Sequence, residues 1–321
     1  MKTKTDEFDA DDLNLITLAQ KYNDEDKARA LFEFMRWPDG KPICPHCKND
    51  GKAKPNYKLT SKENTKKKVR PGLYSCGACR KPFTATVGTV LEDSHIPISK
   101  WIMAWFIICS SKKAVSAHQL HRMLGLTYKS AWFMAHRIRF AMGDDGKTKL
   151  KGVVEIDETF IGGRSTRQRK LSSKTPVMAL IEQGGQMRAR VVPNVSFKNL
   201  GKALFECVDT SAVICSDENT AYKTVKKHYK AHHTVVHSDY EYILKTPDGI
   251  SAGTNHCESF FSLLKRGVHG AWHNVSREHL SKYVNEFQFR WNTRKLTDGA
   301  RMAAALPMIE GKRLLYRQPA V

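Results

Sequence analysis

The feature that most restricts the fold is a pair of C-x-x-C motifs, Cys44-Pro-His-Cys47 and Cys76-Gly-Ala-Cys79, with 28 residues between them. Two residues between thiols let both sulfurs of a tight turn reach one tetrahedral Zn²⁺ at about 2.3 Å, and four thiolates close its coordination shell. A closed shell is structural, so Cys44, Cys47, Cys76 and Cys79 predict a zinc ribbon. A redox C-x-x-C normally occurs once and beside a βαβ pattern, which does not hold here. His46 reads as an exposed knuckle residue. Cys109, Cys207, Cys215 and Cys257 lack partners at ligand spacing and read as buried apolar side chains.

Charge gives the second constraint. The 321 residues hold 53 Lys plus Arg against 32 Asp plus Glu, a formal net charge of +21. A chain this basic repels itself unless a polyanion or acidic surface neutralises it. The excess is local: eleven basic and two acidic residues in 48–81, and nine against two in 112–151. Six Trp and 41% hydrophobic residues exclude a disordered basic tail. The longest apolar run, Trp101 to Cys109, falls short of the ~20 residues of a membrane span. The charged N-terminus, with Lys2, Lys4, Asp6 and Glu7, is no apolar signal. These features predict a soluble cytoplasmic protein with reduced cysteines and no membrane partner.

Periodicity divides the chain. Residues 8–36 have helical spacing that ends at Pro38-Asp39-Gly40, and 97–143 read as helices, with Ser99 as the cap of the first. Within the latter, Ser116 to Leu124, then Gly125-Leu-Thr127, then Tyr128 to Arg139 form a helix, a glycine turn and a second helix. That is the layout of a helix-turn-helix, with Lys129, Arg137 and Arg139 as groove-facing cations. Lys66, Lys67, Lys68 and Arg70, in the basic insertion of the ribbon, are further candidate DNA contacts. The domains expected are a helical segment at 1–40, a zinc ribbon at 41–95, a helix-turn-helix region at 96–145, an α/β domain at 150–297 and a tail at 298–321.

The α/β region reads as three strands, a helix, a strand, a helix, a strand and closing helices. Val153 to Gly163 is the first strand, Val177–Ile181 and Met187–Val192 a hairpin, and Val195–Val208 a helix. Ala212–Asp217 is a strand, Thr220–His232 a helix, His233–His237 a strand, and Thr254–Val268 and Arg277–Arg294 are helices. Asp157 on the first strand, Asp217 at the end of the fourth and Glu258 on the following helix give the ribonuclease H-like order of acids. Phosphodiester cleavage by in-line displacement uses two divalent cations about 4 Å apart, which hard carboxylates hold. Lys265, two helical turns beyond Glu258, falls on the same face and can hold a phosphate, with Arg266 beside it as a DNA contact. Asn255, one turn before Glu258, is an alternative ligand, as is Glu218 beside Asp217. Glu158 alternates to the other strand face. His232, His233 and His237 read as strand-end residues, with His237 a candidate site contact, and Trp272, Phe287, Phe289 and Trp291 as packing.

These residues also carry a resemblance. Arg36-Trp-Pro-Asp-Gly40, Cys76-Gly-Ala-Cys79-Arg-Lys-Pro-Phe83, Ile156-Asp-Glu-Thr-Phe-Ile-Gly-Gly163, Ser216-Asp-Glu218 with Ala221-Tyr222, and Asn255-His-Cys-Glu-Ser-Phe-Phe-Ser-Leu-Leu-Lys-Arg266 are similar to bacterial insertion-sequence transposases of the zinc-ribbon DDE type. The likeness continues through His279-Leu280, Tyr283, Glu286-Phe287 and Phe289-Arg-Trp-Asn292, and covers about residues 30 to 295. It implies a multidomain enzyme that binds terminal inverted repeats of double-stranded DNA, nicks the element ends and joins the freed 3′ hydroxyl to target DNA. It implies Mg²⁺ or Mn²⁺ at Asp157, Asp217 and a third residue, beside a structural Zn²⁺. Related subgroups carry Glu or Asn at the third position, and this chain has both Glu258 and Asn255; Glu258 is taken as the third acid. His256-Cys257 and the 28-residue knuckle gap depart from the pattern. A homo-oligomer in a synaptic complex and a nucleoid-associated location follow from joining two DNA ends.

Two rivals share parts of this pattern: a catalytically inactive DNA-binding regulator derived from a transposase, and a junction- or RNA-processing nuclease of the same fold. Asp157, Asp217, Glu258 and Lys265 together argue against the first, because carboxylates facing a phosphate without a metal only repel it. If the two basic stretches form the DNA surface, affinity for end DNA falls steeply with salt, with a log–log slope of about 0.9 per phosphate neutralised. A flat salt titration contradicts that surface.

Overall fold

A computed structural model describes residues 10–61, 68–144, 146–162, 174–218, 222, 227–235, 243–245 and 251–316. The chain folds into two units, Met1–Met142 with Leu296–Val321, and Gly143–Lys295.

In the first unit the helical spacing of 8–36 divides into α1 (Leu15–Tyr22) and α2 (Glu25–Arg36). The division lies at two side-chain caps: Asn14 accepts the N–H groups of Ile16 and Thr17, and Asp24 those of Asp26 and Lys27. Next come three two-residue strands, β1 (Tyr57–Lys58), β2 (Tyr74–Ser75) and β3 (Pro82–Phe83), in one antiparallel sheet. Trp37 meets Tyr74 edge-on at 5.6 Å, and Tyr74 stacks on Phe83 at 5.6 Å, so aromatic packing supports what so few ladder bonds cannot.

Helix α3 (Ile98–Ser110) is apolar all round and buries eight of its residues, as a core helix does. Ser99 is not its cap. The cap position is Pro97, and Ser99 lies inside the first turn. The exposed donors are met instead by Glu25 of α2, whose carboxylate accepts Ile98 N at 2.8 Å and Ser99 N at 3.2 Å.

Helices α4 (Ala117–Leu124) and α5 (Tyr128–Ala141) follow, joined through Gly125 in the left-handed conformation at φ 58°. Ser116 and Thr127 cap them through Gln119 N and Ser130 N. Arg137 and Arg139, expected to face a groove, are 7% and 1% exposed. The second half of α5 is a core element: Arg139 donates to Val115 O at 3.2 Å, and the Arg137 guanidinium stacks 4.6 Å from the Phe133 ring centre. Residues read as a tail form α9 (Asp298–Ala305), packed on α3, and a 3₁₀ turn at Leu306–Ile309.

The second unit is a mixed α/β structure. Its strands are β4 (Val153–Ile161), β5 (Thr175–Glu182), β6 (Met187–Val191), β7 (Val213–Ser216) and β8 (Ala231–Thr234), in the order β6-β5-β4-β7-β8. The β4–β5 and β5–β6 pairs are antiparallel, and β4–β7 and β7–β8 are parallel. Helix α6 (Phe197–Cys207) covers one face, where Leu200 and Leu204 join Ile156, Met178 and Leu180 in one core. Helices α7 (Asn255–Gly267) and α8 (Arg277–Asn292) cover the other, where Phe260, Leu264 and Phe287 meet Val177, Ala179 and Ile181. The alternation along β5 is the two-residue period of a strand buried on both sides. A short hairpin, β9 (Ile243–Lys245) and β10 (Ser251–Gly253), precedes α7.

The last sheet strand starts earlier than the spacing predicts. Parallel pairing of Val213 with Ala231 and of Ser216 with Thr234 pulls His232 and His233 into β8, and Tyr229 and Lys230 precede it outside any helix. Residues 220, 221 and 223–226 of the helix expected over Thr220–His232, and His237, lie outside the described residues. At the opposite edge, α8 supplies what a neighbouring strand would: Ala189 N donates to Gln288 Oε1 and Met187 N to Asn292 Oδ1, both at 2.8 Å. Cys109, Cys207, Cys215 and Cys257 are all buried. Among the described residues no helix is long and apolar enough to cross a membrane.

Gly299 is where α9 meets the start of the chain: a Cβ there would overlap the Ala10 carbonyl oxygen and lie 2.7 Å from Leu13 Cβ. Gly299→Ala should therefore destabilise the first unit by about 1–3 kcal/mol in chemical unfolding, as overpacking does. An unchanged midpoint would mean the close approach is not maintained.

Candidate functional site

Chemistry-bearing residues gather in three places. The first is the ribbon. The Sγ atoms of Cys44, Cys47, Cys76 and Cys79 all lie within 4.8 Å of one another, with Cys44–Cys79 at 3.8 Å and Cys47–Cys76 at 3.5 Å. A tetrahedron with 2.3 Å metal–sulfur bonds has edges of about 3.8 Å, so the donor set fits a structural Zn²⁺. The two knuckles repeat one geometry: Lys48 and Arg80 each follow a second cysteine, each has φ 60°, and each donates its N–H to the carbonyl of Cys44 or Cys76 at 2.9 Å. Burial pushes the Cys76 thiol up, but N–H groups of Cys79 and Ala78 and the neighbouring sulfurs outweigh it and bring it down to about 6. Burial pushes the neighbouring Cys44 thiol up to about 12, so a metal must displace a proton there. His46 is exposed and reaches Pro82 O at 3.3 Å, outside the ligand set. Lys68 and Arg70 are exposed, whereas Lys66 and Lys67 lie outside the described residues.

The second place is the first turn of α5. Lys129 and Tyr128 are exposed there, beside Arg122 and Met123 of α4. The Lys129 ammonium lies 4.7 Å from the Tyr316 ring centre, and Tyr128 stacks on His118 at 4.3 Å. The exposed cation and aromatic groups of this helix pair thus sit at the N-terminal end of α5 rather than along it, where Arg137 and Arg139 are buried.

The third is built by β4, β7 and α7. In the parallel β4–β7 ladder Glu155 pairs with Cys215; two residues on, Asp157 stands within β4 and Asp217 just past the end of β7. Asp157 pairs across the sheet with Ala179, so it faces α7. That helix brings Glu258 in its first turn and Lys265 two turns later. Asp157, Glu158, Thr159, Glu258, Phe261, Ser262, Lys265, Arg266 and His269 line one cleft of about 600 Å³. Arg266 is exposed and donates to Ser262 Oγ at 2.7 Å, whereas Asn255 is half-buried and not part of the lining. Glu218 is exposed beside Asp217.

Burial pushes the Asp157 carboxyl up to about 7; the charges of Asp217, Glu158 and Glu258 add to the rise, against the opposing N–H of Glu158 at 2.7 Å. Like charges therefore converge on a group withdrawn from water, a state that a cation relieves. Asp157, Asp217 and Glu258 are hard oxygen donors, which suits a divalent ion of the Mg²⁺ type. Among the described residues only the four cysteines bring three or more such ligand atoms within 4.8 Å, so the carboxylates stand farther apart than the thiols.

Sequence spacing did not reveal two neighbours. Glu158 is held by a hydrogen bond from Tyr222, whose phenol burial and the Glu158 charge raise well above its usual range. Glu155 is fully buried against α7. Its place two residues before Asp157 on the same strand face was the available signal.

Comparison with known proteins bears on both halves of the chain. Residues 23–82 match the transposase zinc-ribbon domain, and residues 149–292 match the ISXO2-like transposase domain. A Halobacterium salinarum protein described as an uncharacterized protein in transposable element ISH50 is 26% identical over 286 residues, covering 83% of this chain and 90% of its own length. A zinc ribbon followed by an insertion-sequence transposase domain, on a chain whose four cysteines fit one Zn²⁺, identifies this protein as a member of the insertion-sequence DDE transposases with an N-terminal zinc ribbon.

Proposed function

We propose that this chain is a working DDE transposase: it binds the terminal inverted repeats of its element in double-stranded DNA, cleaves at the element ends and joins the 3′ hydroxyl to target DNA. The observation that carries this reading is the cleft in which Asp157 of β4 faces Glu258 and Lys265 of α7, with the charge of Asp217 acting on the same carboxyl. The strand order β6-β5-β4-β7-β8, with acids at the centre of the sheet and on a covering helix, supports a ribonuclease H-like catalytic domain.

Asp157, Asp217 and Glu258 would hold the Mg²⁺ or Mn²⁺ ions. Bound divalent ions in such a site activate the attacking oxygen and stabilise the leaving one. Glu258 is preferred to Asn255 because it lines the cleft and acts on the Asp157 carboxyl. Lys265, exposed on the cleft wall, would hold a phosphate beside the acids, with Arg266 next to it. Glu158 is occupied by Tyr222 and shapes the floor of the cleft. On the DNA-finding side, α4 and α5 would act as a helix-turn-helix that reads the groove through the first turn of α5, with Lys129 as its cation. Lys68 and Arg70 of the ribbon would contact backbone phosphates. Joining two ends calls for more than one protomer, so the acting form is a homo-oligomer on synapsed DNA, associated with the nucleoid.

Asp157→Asn and Glu258→Gln should each lower Mg²⁺-dependent cleavage of end DNA by more than about a hundredfold, beyond the usual cost of losing a mere outer contact of a metal site. Binding to end DNA should stay nearly intact in both. Full cleavage by either variant refutes its assignment as a ligand.

A pH dependence follows from the raised Asp157 carboxyl. Ionised Asp157 is disfavoured in the fold, so this group's penalty is absent below the ordinary aspartate range and complete above about 7. With the zinc retained and no other divalent ion added, the Asp157 contribution to stability should fall as pH rises from about 4 to about 7, and Asp157→Asn should remove that part of the slope and raise the melting temperature at pH 8. Mg²⁺ must displace the same proton, so its half-saturating concentration should decrease between pH 6 and 8. A pH-independent Mg²⁺ requirement contradicts this account.

A further inference from the structure

One buried acid of the second unit has no part in the reading above. Glu155 is 2% exposed, and a carboxylate withdrawn from water must have its oxygens satisfied. Its Oε2 accepts the backbone N–H of His256 at 3.0 Å. Its Oε1 accepts His256 Nδ1 at 2.7 Å and Gln183 Nε2 at 3.2 Å. His256 is the second residue of α7, so its N–H is among the orphan donors of that helix start. Thr254, at the cap position, makes no side-chain cap bond. Glu155 therefore caps α7 from a neighbouring strand, with its charge at the positive end of the helix dipole.

The placement in sequence gives this contact a consequence. Glu155 precedes Asp157 by two residues on one strand, and His256 precedes Glu258 by two residues in the first turn of α7. One carboxylate thus joins the two segments that bear the facing acids of the cleft. The buried Cys257 thiol packs into the same seam, 3.6 Å from Glu155 O and 3.8 Å from Ala179 O.

We propose that Glu155 is a positioning residue, whose hydrogen bonds to the start of α7 at His256 set the separation of Asp157 and Glu258 and so the affinity of the cleft for its divalent ions. The proposal rests on the assignment of Asp157 and Glu258 as ligands. Partners that orient ligands from outside a metal's coordination shell typically change metal affinity by 10–100-fold when lost.

The test is Mn²⁺ binding, followed by electron paramagnetic resonance, to the full chain with its zinc retained. Glu155→Ala should weaken Mn²⁺ binding about ten- to a hundredfold while end-DNA binding stays unchanged. Glu155→Gln keeps an oxygen for the His256 N–H, and the imidazole can switch tautomer to accept from the new amide, so it should bind within about threefold of the native chain. Native Mn²⁺ affinity in Glu155→Ala overturns the proposal, as does a Glu155→Gln protein as weak as Glu155→Ala. Should Glu155→Ala fail to fold, His256→Ala decides, because it removes the imidazole bonded to Oε1 and keeps the backbone N–H: it should weaken Mn²⁺ binding by at least about threefold, and native affinity in it overturns the proposal. Asp157→Asn separates the two levels. Native Mn²⁺ binding in that variant refutes the ligand assignment itself, whereas its loss alongside a native Glu155→Ala refutes only the positioning role.

Discussion

The second unit is organised around electrostatic repulsion that its core has to withstand. Asp157, Glu158, Asp217 and Glu258 are drawn together by three elements, and the cost registers on Asp157, whose proton is held up to about 7. Such crowding persists only if the elements cannot move apart. The means are visible: β4 is held between β5 and β7, α7 buries Phe260, Phe261 and Leu264 against the sheet, and Glu155 and Cys257 tie the helix start to β4. The hydrophobic contacts supply the free energy, and the polar ones fix the register.

The same division of labour shapes the edges. Arg188 pairs with Asp144 at 2.6 Å in a largely buried contact, and Gln288 and Asn292 of α8 close the open side of β6. These polar groups do little for net stability, since a buried pair roughly offsets its own desolvation. They specify which strand is the edge and where α8 lies on it. A sheet held in one register places acids two residues apart on one face reliably, which a cleft built from distant segments requires.

Much of this was legible in the sequence because it rests on local rules. The cysteine spacing, the hairpin at Gly184-Gly185, helices α7 and α8 and the separation of Glu258 from Lys265 by two turns all follow from periods of two and 3.6 or from ligand geometry. The misreadings arose where a distant partner decides. Ser99 looked like a cap, but Glu25, 74 residues earlier, satisfies the helix start. Strand β8 begins where pairing with β7 puts it, not where the histidines suggest. The two-residue period puts Glu155 on the face of Asp157, but its contact with the start of α7 left no sign, because that partner lies 101 residues away. Tertiary hydrogen bonds leave no period in a sequence.

Arg137 and Arg139 carry a more general lesson about charge. Both count toward the net +21, and both sit on the helix that a helix-turn-helix would lay in a groove. Yet they are buried, one against Val115 O and one on Phe133, so neither offers its charge to a phosphate. The cations that a polyanion can reach on that helix pair are Arg122 and Lys129, at the end where α4 turns into α5. A recognition helix reads bases from its N-terminal turns because only those can be pushed into the groove while the rest stays in the core. The formal charge therefore overstates the surface that a polyanion could meet. What decides affinity is the subset of side chains that the core leaves outside, and on α5 the boundary falls after its first turn.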